Sequence, residues 1–96
     1  MRRAAKIDGN QTRIVEALEA IGASVTSLGQ VGNGCPDLVV GYHGMNYLLE
    51  VKDPTQAVSD RHLTPKQKQW HAAWKGTSHL VETVEQAILV VTSKEK

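Results

Sequence analysis

GCPDLVVGYHGMNYLLEVKD, residues 34–53, reads as a β-hairpin. The first arm, Asp37 to Tyr42, is apolar and rich in Val, and the second, Asn46 to Lys52, carries Tyr, Leu and Val. His43 and Gly44 lie between the arms as a two-residue turn, with Gly44 free to take a positive φ. That turn sets a register in which Tyr42 faces Met45, Val40 faces Tyr47 and Asp37 faces Glu50. Lys52 is two residues beyond Glu50 and shares its face, while Val51 points the other way. The hairpin thus gathers Asp37, Glu50 and Lys52, and a slip of one residue would scatter them.

Two facing carboxylates repel unless a cation or a proton lies between them. A hard divalent cation with oxygen ligands, Mg²⁺ or Mn²⁺, suits the pair, and Lys52 is near enough to orient a water. That is chemistry for hydrolysing a phosphodiester. The competing reading is a solvated strand edge, where Glu-x-Lys is a common surface pair.

Pro36-Asp37 followed by Glu50-Val51-Lys52 resembles the PD-(D/E)xK nuclease signature. Leu63-Thr64-Pro65-Lys66-Gln67 is similar to the helix start of the VRR-NUC branch, and Gly32-Asn33-Gly34-Cys35-Pro36-Asp37 to its Gly-rich approach to the Asp. The resemblance runs from about Gln11 to Ala87. It implies a restriction-endonuclease-like α/β fold and a DNA endonuclease in which Asp37, Glu50 and the Val51 backbone carbonyl bind the metal. Lys52 then activates water and Gln67 holds Lys52 or that water. It also implies a homodimer acting on branched DNA such as four-way junctions, and a stand-alone, phage-like enzyme of a bacterial cytoplasm. An acidic residue of the first helix often completes such sites. Here Glu16 and Glu19 lie off the apolar stripe and Gln11 faces inward, so Gln11 is the additional candidate, against a capping or core-edge amide.

At 96 residues the chain makes one domain, residues 1–96, with a modest core that a second subunit would help stabilise. A hydrophobic share of 41% fits a globular chain, and the absence of Phe leaves the core to aliphatic residues and two Trp. Lys+Arg number 11 against 10 Asp+Glu, so a nucleic-acid surface requires the cations to cluster on one face. A single Cys excludes an internal disulfide and suits a reducing compartment. The apolar runs are too short to span a membrane, so a soluble intracellular protein is expected.

In chain order, Arg2, Arg3 and Lys6 form a basic start that either frays or touches phosphates. Asp8 or Asn10 caps a helix carrying Ile14, Val15, Leu18 and Ile21, which Gly22 ends. Ser24 to Leu28 is a strand, and Gly29 to Gly34 a loop that lets a DNA backbone approach. Cys35 is a small filler rather than a nucleophile. Asp53 to His62 is a flap whose Asp60, Arg61 and His62 either reach substrate or are merely solvated. Thr64 caps a helix running to about Lys75, on which Gln67, Trp70, His71 and Trp74 share a face; the Trp pair is expected in the core. His79 to Glu82 is a strand, and Thr83 to Gln86 opens a last helix, although Ala87 to Val91 also suits a strand. The order αβββαβα makes a mixed sheet of about four strands flanked by helices. Besides the nuclease, a non-catalytic nucleic-acid-binding or assembly module and a small structural domain stay open.

Overall fold

The computed structural model describes residues 9–93. Arg2, Arg3, Lys6 and Asp8 lie outside them. The elements are α1 (Gly9–Ala20), β1 (Ser24–Ser27), β2 (Leu38–Tyr42), β3 (Met45–Val51), α2 (Pro65–Ala73), β4 (His79–Val81) and α3 (Val84–Thr92), with a 3-10 turn at Val58–Arg61. The order αβββαβα is the expected one, and 87–91 is helical.

The four strands lie in the order β1-β2-β3-β4. The first three pair antiparallel, and β4 joins β3 in parallel after the α2 crossover. The hairpin is central, and its register is the one the turn dictates: Tyr42 pairs with Met45, Val40 with Tyr47 and Leu38 with Leu49. His43 (φ 49) and Gly44 (φ 83) are both left-handed, as a two-residue turn matching the twist of its strands requires. The His43 ring stacks on Tyr42 at 4.1 Å.

Period-two alternation sends Leu38, Val40, Leu49 and Val51 to one face of the sheet, where they meet Ile14 and Leu18 of α1 and Ala87 and Val91 of α3. The opposite face carries Glu50. There α2 lies, and it buries no residue of its own. Trp70 and Trp74, expected in the core, are not in it. Trp74 is 46% exposed and Trp70 half-buried, and their rings stack on each other at 4.5 Å and 16°. Helical spacing shows only that two residues share a face. The side-chain bonds that α2 makes to the sheet are polar, from Gln67 to Glu50 and Lys52, and the indoles stack on each other instead.

Asn10 is not a cap. It lies inside the first turn of α1, buried, and its Nδ2 donates to the Lys52 and Glu82 carbonyls, each at 2.9 Å. One amide thereby ties α1 to the ends of β3 and β4. Gly34 also has a different use from the one expected. At φ +85 it lies against the first turn of α2, and a Cβ there would collide with the Lys66 carbonyl oxygen and come within 2.7 Å of its carbon. The close approach is by the protein's own backbone. Gly34→Ala is therefore expected to destabilise the fold by about 2 kcal/mol or more, left-handed strain plus clash, measured by urea denaturation. Wild-type stability in that variant would show that the loop and α2 are not seated together.

The flap is solvated over residues 54–60. Arg61 donates to the Pro54 carbonyl at 3.3 Å and lies 3.8 Å from Glu82. No helix among the described residues is long and apolar enough to cross a membrane.

Candidate active site

The register that pairs Leu38 with Leu49 puts Asp37, one step earlier, beside Glu50. Pro36, fully buried, has no N–H to extend the ladder, and β2 begins only at Leu38. The Asp37 carboxylate takes over the end of the ladder: its Oδ2 accepts the Val51 N–H at 2.8 Å. The Lys52 N–H goes the other way, to the Val81 carbonyl at 2.9 Å. Because a strand's amides alternate from side to side, the Val51 carbonyl faces the Asp37 side.

Glu50 is 2% exposed. Its Oε2 accepts from Gln67 Nε2 at 3.0 Å and lies 3.5 Å from Lys52 Nζ. Its Oε1 is buried with no partner. Burial first, and then the negative charge of Asp37 beside it, push the Glu50 carboxyl up to about 7, against the opposing pull of Lys52.

Gln67 joins these groups. Thr64 caps α2 by accepting the Gln67 N–H, and Gln67 Oε1 accepts the Thr64 N–H at 2.9 Å, completing a capping box. The same Oε1 accepts from Lys52 Nζ at 3.0 Å while Nε2 reaches Glu50. The cap fixes the rotamer that serves the site. Of the three protons on the Lys52 ammonium, one is given to Gln67 and one lies toward Glu50, which leaves the third for a further acceptor. The spacing Thr64-x-x-Gln67 announces such a box in the sequence.

Asp37, Glu50, Lys52 and Gln67, singled out from sequence, thus form one cluster. Gln11, on α1, lines a groove with Val25, Ser27 and Leu38, the residue after Asp37. Cys35 is half-buried, and its thiol is pushed up by burial and then by the charges of Glu50 and Asp37. A raised thiol is a poor nucleophile, in line with the filler role. His71, one turn beyond Gln67, holds Ser78 Oγ at 2.7 Å through Nδ1, and burial followed by the Lys52 charge lowers its pKa. A concavity of about 840 Å³ at the hairpin tip, between Tyr42, Met45, His79 and Leu89, is lined by neither carboxylate.

Among the described residues no three His, Cys, Asp or Glu side chains converge as a metal cage. The donors on offer are two carboxylates and one carbonyl, all hard oxygens. They fit a Mg²⁺-like ion, which keeps several waters and needs few protein ligands. The unpartnered Glu50 Oε1 and the carboxyl pushed up by burial and then by Asp37 are what a cation there would relieve.

Sheet order, central hairpin and the acid-acid-lysine cluster on its polar face define a restriction-endonuclease-like α/β domain. A solved structure described as a VRR_NUC domain has the same fold: TM-score 0.63 and 24% identity, covering 88% of this chain and 92% of that one. No protein-family model and no curated protein sequence matches the chain.

Proposed function

We propose that the chain is a metal-dependent DNA endonuclease. The observation that carries this reading is the buried Glu50, kept beside Asp37 and braced by Gln67 and Lys52 at the end of a central hairpin. A surface ion pair has no need of a buried acid whose second oxygen lacks a partner. The similarity to a VRR_NUC domain supports the same class.

Asp37, Glu50 and the Val51 carbonyl would hold Mg²⁺ or Mn²⁺, with Gln11 as an additional ligand, and the ion when bound supplies charge stabilisation to the scissile phosphate. Lys52 uses its remaining proton to orient the attacking water and to offset the charge that grows on phosphorus-bound oxygen. Gln67 fixes Lys52. The water oxygen bonds to phosphorus and gives up a proton to solvent, the bond to the leaving sugar oxygen breaks, and that oxygen takes up a proton from solvent. The natural substrates are branched DNAs such as four-way junctions, cut by a homodimer. Leu89 and Met45, 66% and 58% exposed beside the hairpin-tip groove, offer an apolar surface for the subunit contact.

The test is cleavage of linear, flapped and four-way DNA with Mg²⁺, Mn²⁺ or EDTA. Metal-dependent cutting is expected. DNA binding without cutting of any substrate would leave the non-catalytic module in its place. Gln67→Ala is expected to slow cleavage roughly ten- to a hundredfold, since it removes the hydrogen bond that holds the Lys52 ammonium in place, a bond to a charged group contributing about 1.5–3 kcal/mol. A single-turnover assay measures this, and an unchanged rate would remove Gln67 from the machinery.

A further inference from the structure

The acid count is unevenly spread. From Arg61 to Val81 there is no Asp or Glu, whereas Arg61, Lys66, Lys68 and Lys75 all lie there, in a chain whose totals are 11 Lys+Arg and 10 Asp+Glu. This segment is α2 with its flanks. The helix is joined to the sheet by polar contacts, Gln67 to Glu50 and Lys52 and His71 to Ser78. Its apolar surface, the Trp70–Trp74 stack, is left to solvent, and Lys66 and Gln69 border a concavity beside Trp70 that Asn33 closes.

The geometry points to a stacking platform for an unpaired DNA base: the exposed Trp74, stacked on half-buried Trp70, takes the base, and Lys66 and Lys75 take the neighbouring phosphates. Charge complementarity selects a polyanion as occupant. The flat aromatic face selects one with unstacked bases, because duplex bases already stack on each other and present only edges and backbone. Trp70 is three residues from Gln67, about 4.5 Å along the helix, so a base held there belongs to nucleotides next to the Glu50–Lys52 cluster. The inference rests on the nuclease reading for its reaction but names the substrate class. Among branched DNAs, those with single-stranded bases at the cut, a flap, a splayed fork or a junction opened at its centre, are preferred over blunt duplex.

The chain holds only two Trp, both in the platform, so intrinsic fluorescence reports on it alone. Full-length protein in EDTA is titrated with oligothymidylate and, separately, with a blunt duplex of the same length. The oligothymidylate is expected to quench the Trp emission, and the duplex to leave it nearly unchanged. Trp74→Ala should weaken oligothymidylate binding roughly five- to a hundredfold, while Trp74→Tyr, which keeps a ring, restores most of it. Lys75→Ala should lower the slope of log affinity against log salt by about 0.7. Three results overturn the platform: unchanged Trp emission when anisotropy shows the oligonucleotide bound, equal affinity in Trp74→Ala, or a dimer that Trp74→Ala dissociates, which makes the stack a contact between copies. Failure to cut any DNA in Mg²⁺ would overturn the nuclease reading while the quenching in EDTA still tests the platform. Equal cutting of flap and blunt duplex by wild type and Trp74→Ala would overturn the platform and leave the nuclease.

Discussion

Glu50→Gln is expected to reduce Mg²⁺-dependent cleavage by roughly three orders of magnitude or more, while making the metal-free protein more stable above neutral pH. Both effects have one cause. The Glu50 carboxyl ordinarily titrates near 4.5, and burial with Asp37 beside it raises this to about 7. A carboxyl whose folded value is raised holds its proton in the folded state after the unfolded chain has released it. Stability from this group is therefore whole below about 4.5 and falls as pH climbs through about 7, at up to about 1.4 kcal/mol per pH unit. His71, lowered by burial and by Lys52, acts with the opposite sign, losing stability as pH drops below its ordinary value. Comparing wild type with Glu50→Gln at each pH leaves His71 common to both and isolates Glu50. Wild type should lose stability relative to the variant on the order of 2 kcal/mol between pH 5 and pH 8, and Mg²⁺ at pH 8 should restore it in wild type alone. Denaturation curves with and without Mg²⁺ read this directly. A variant that cuts at the wild-type rate, or a wild type that Mg²⁺ does not stabilise, would sink the metal site.

The hairpin was legible because its turn and its alternation agree. His43-Gly44 allows one register, and Leu38, Val40, Leu49 and Val51 demand the same one. With the register came the neighbourhood of Asp37, Glu50 and Lys52, since the pleat ties face to parity. Gln67 needed the family resemblance, because no local rule says which part of the sheet a helix will cross. Asn10 escaped altogether. An Asn near a helix start is ordinarily a cap, and its two acceptors, the Lys52 and Glu82 carbonyls, lie far along the chain. The Trp pair escaped for a related reason. Periodicity describes one helix, whereas burial depends on what that helix meets, and α2 meets an acid and a lysine. Gly34 was read as room for a ligand and is room for Lys66. In each of these cases the missing information was the partner surface, which local sequence does not hold.

Lys52→Met is expected to lower the cleavage rate about a hundred- to a thousandfold while leaving metal affinity intact, the scale on which loss of one preorganised donor to developing charge is felt. The charged ammonium has no lone pair, so it cannot be a ligand, and removing it takes a repelling cation away from the metal's neighbourhood. Mn²⁺ affinity should be unchanged or slightly tighter. The methylene stem persists in Met, and Gln67 Oε1 keeps its bond from Thr64, so α2 stays seated. Lys52→Arg should recover little. Its planar fork cannot place a proton at the single point where Nζ now lies, 3.0 Å from Gln67 Oε1 and 3.5 Å from Glu50 Oε2. The variants separate two ways in which Lys52 can matter. If it only neutralises Glu50, Arg rescues the rate. If it orients water, Arg fails and the defect persists across the pH range. Single-turnover rates at saturating Mn²⁺, with Mn²⁺ affinity titrated in parallel, distinguish them. A Lys52→Met protein that turns over normally but no longer binds Mn²⁺ would reverse the assignment and make the position structural to the metal site rather than to the attacking water.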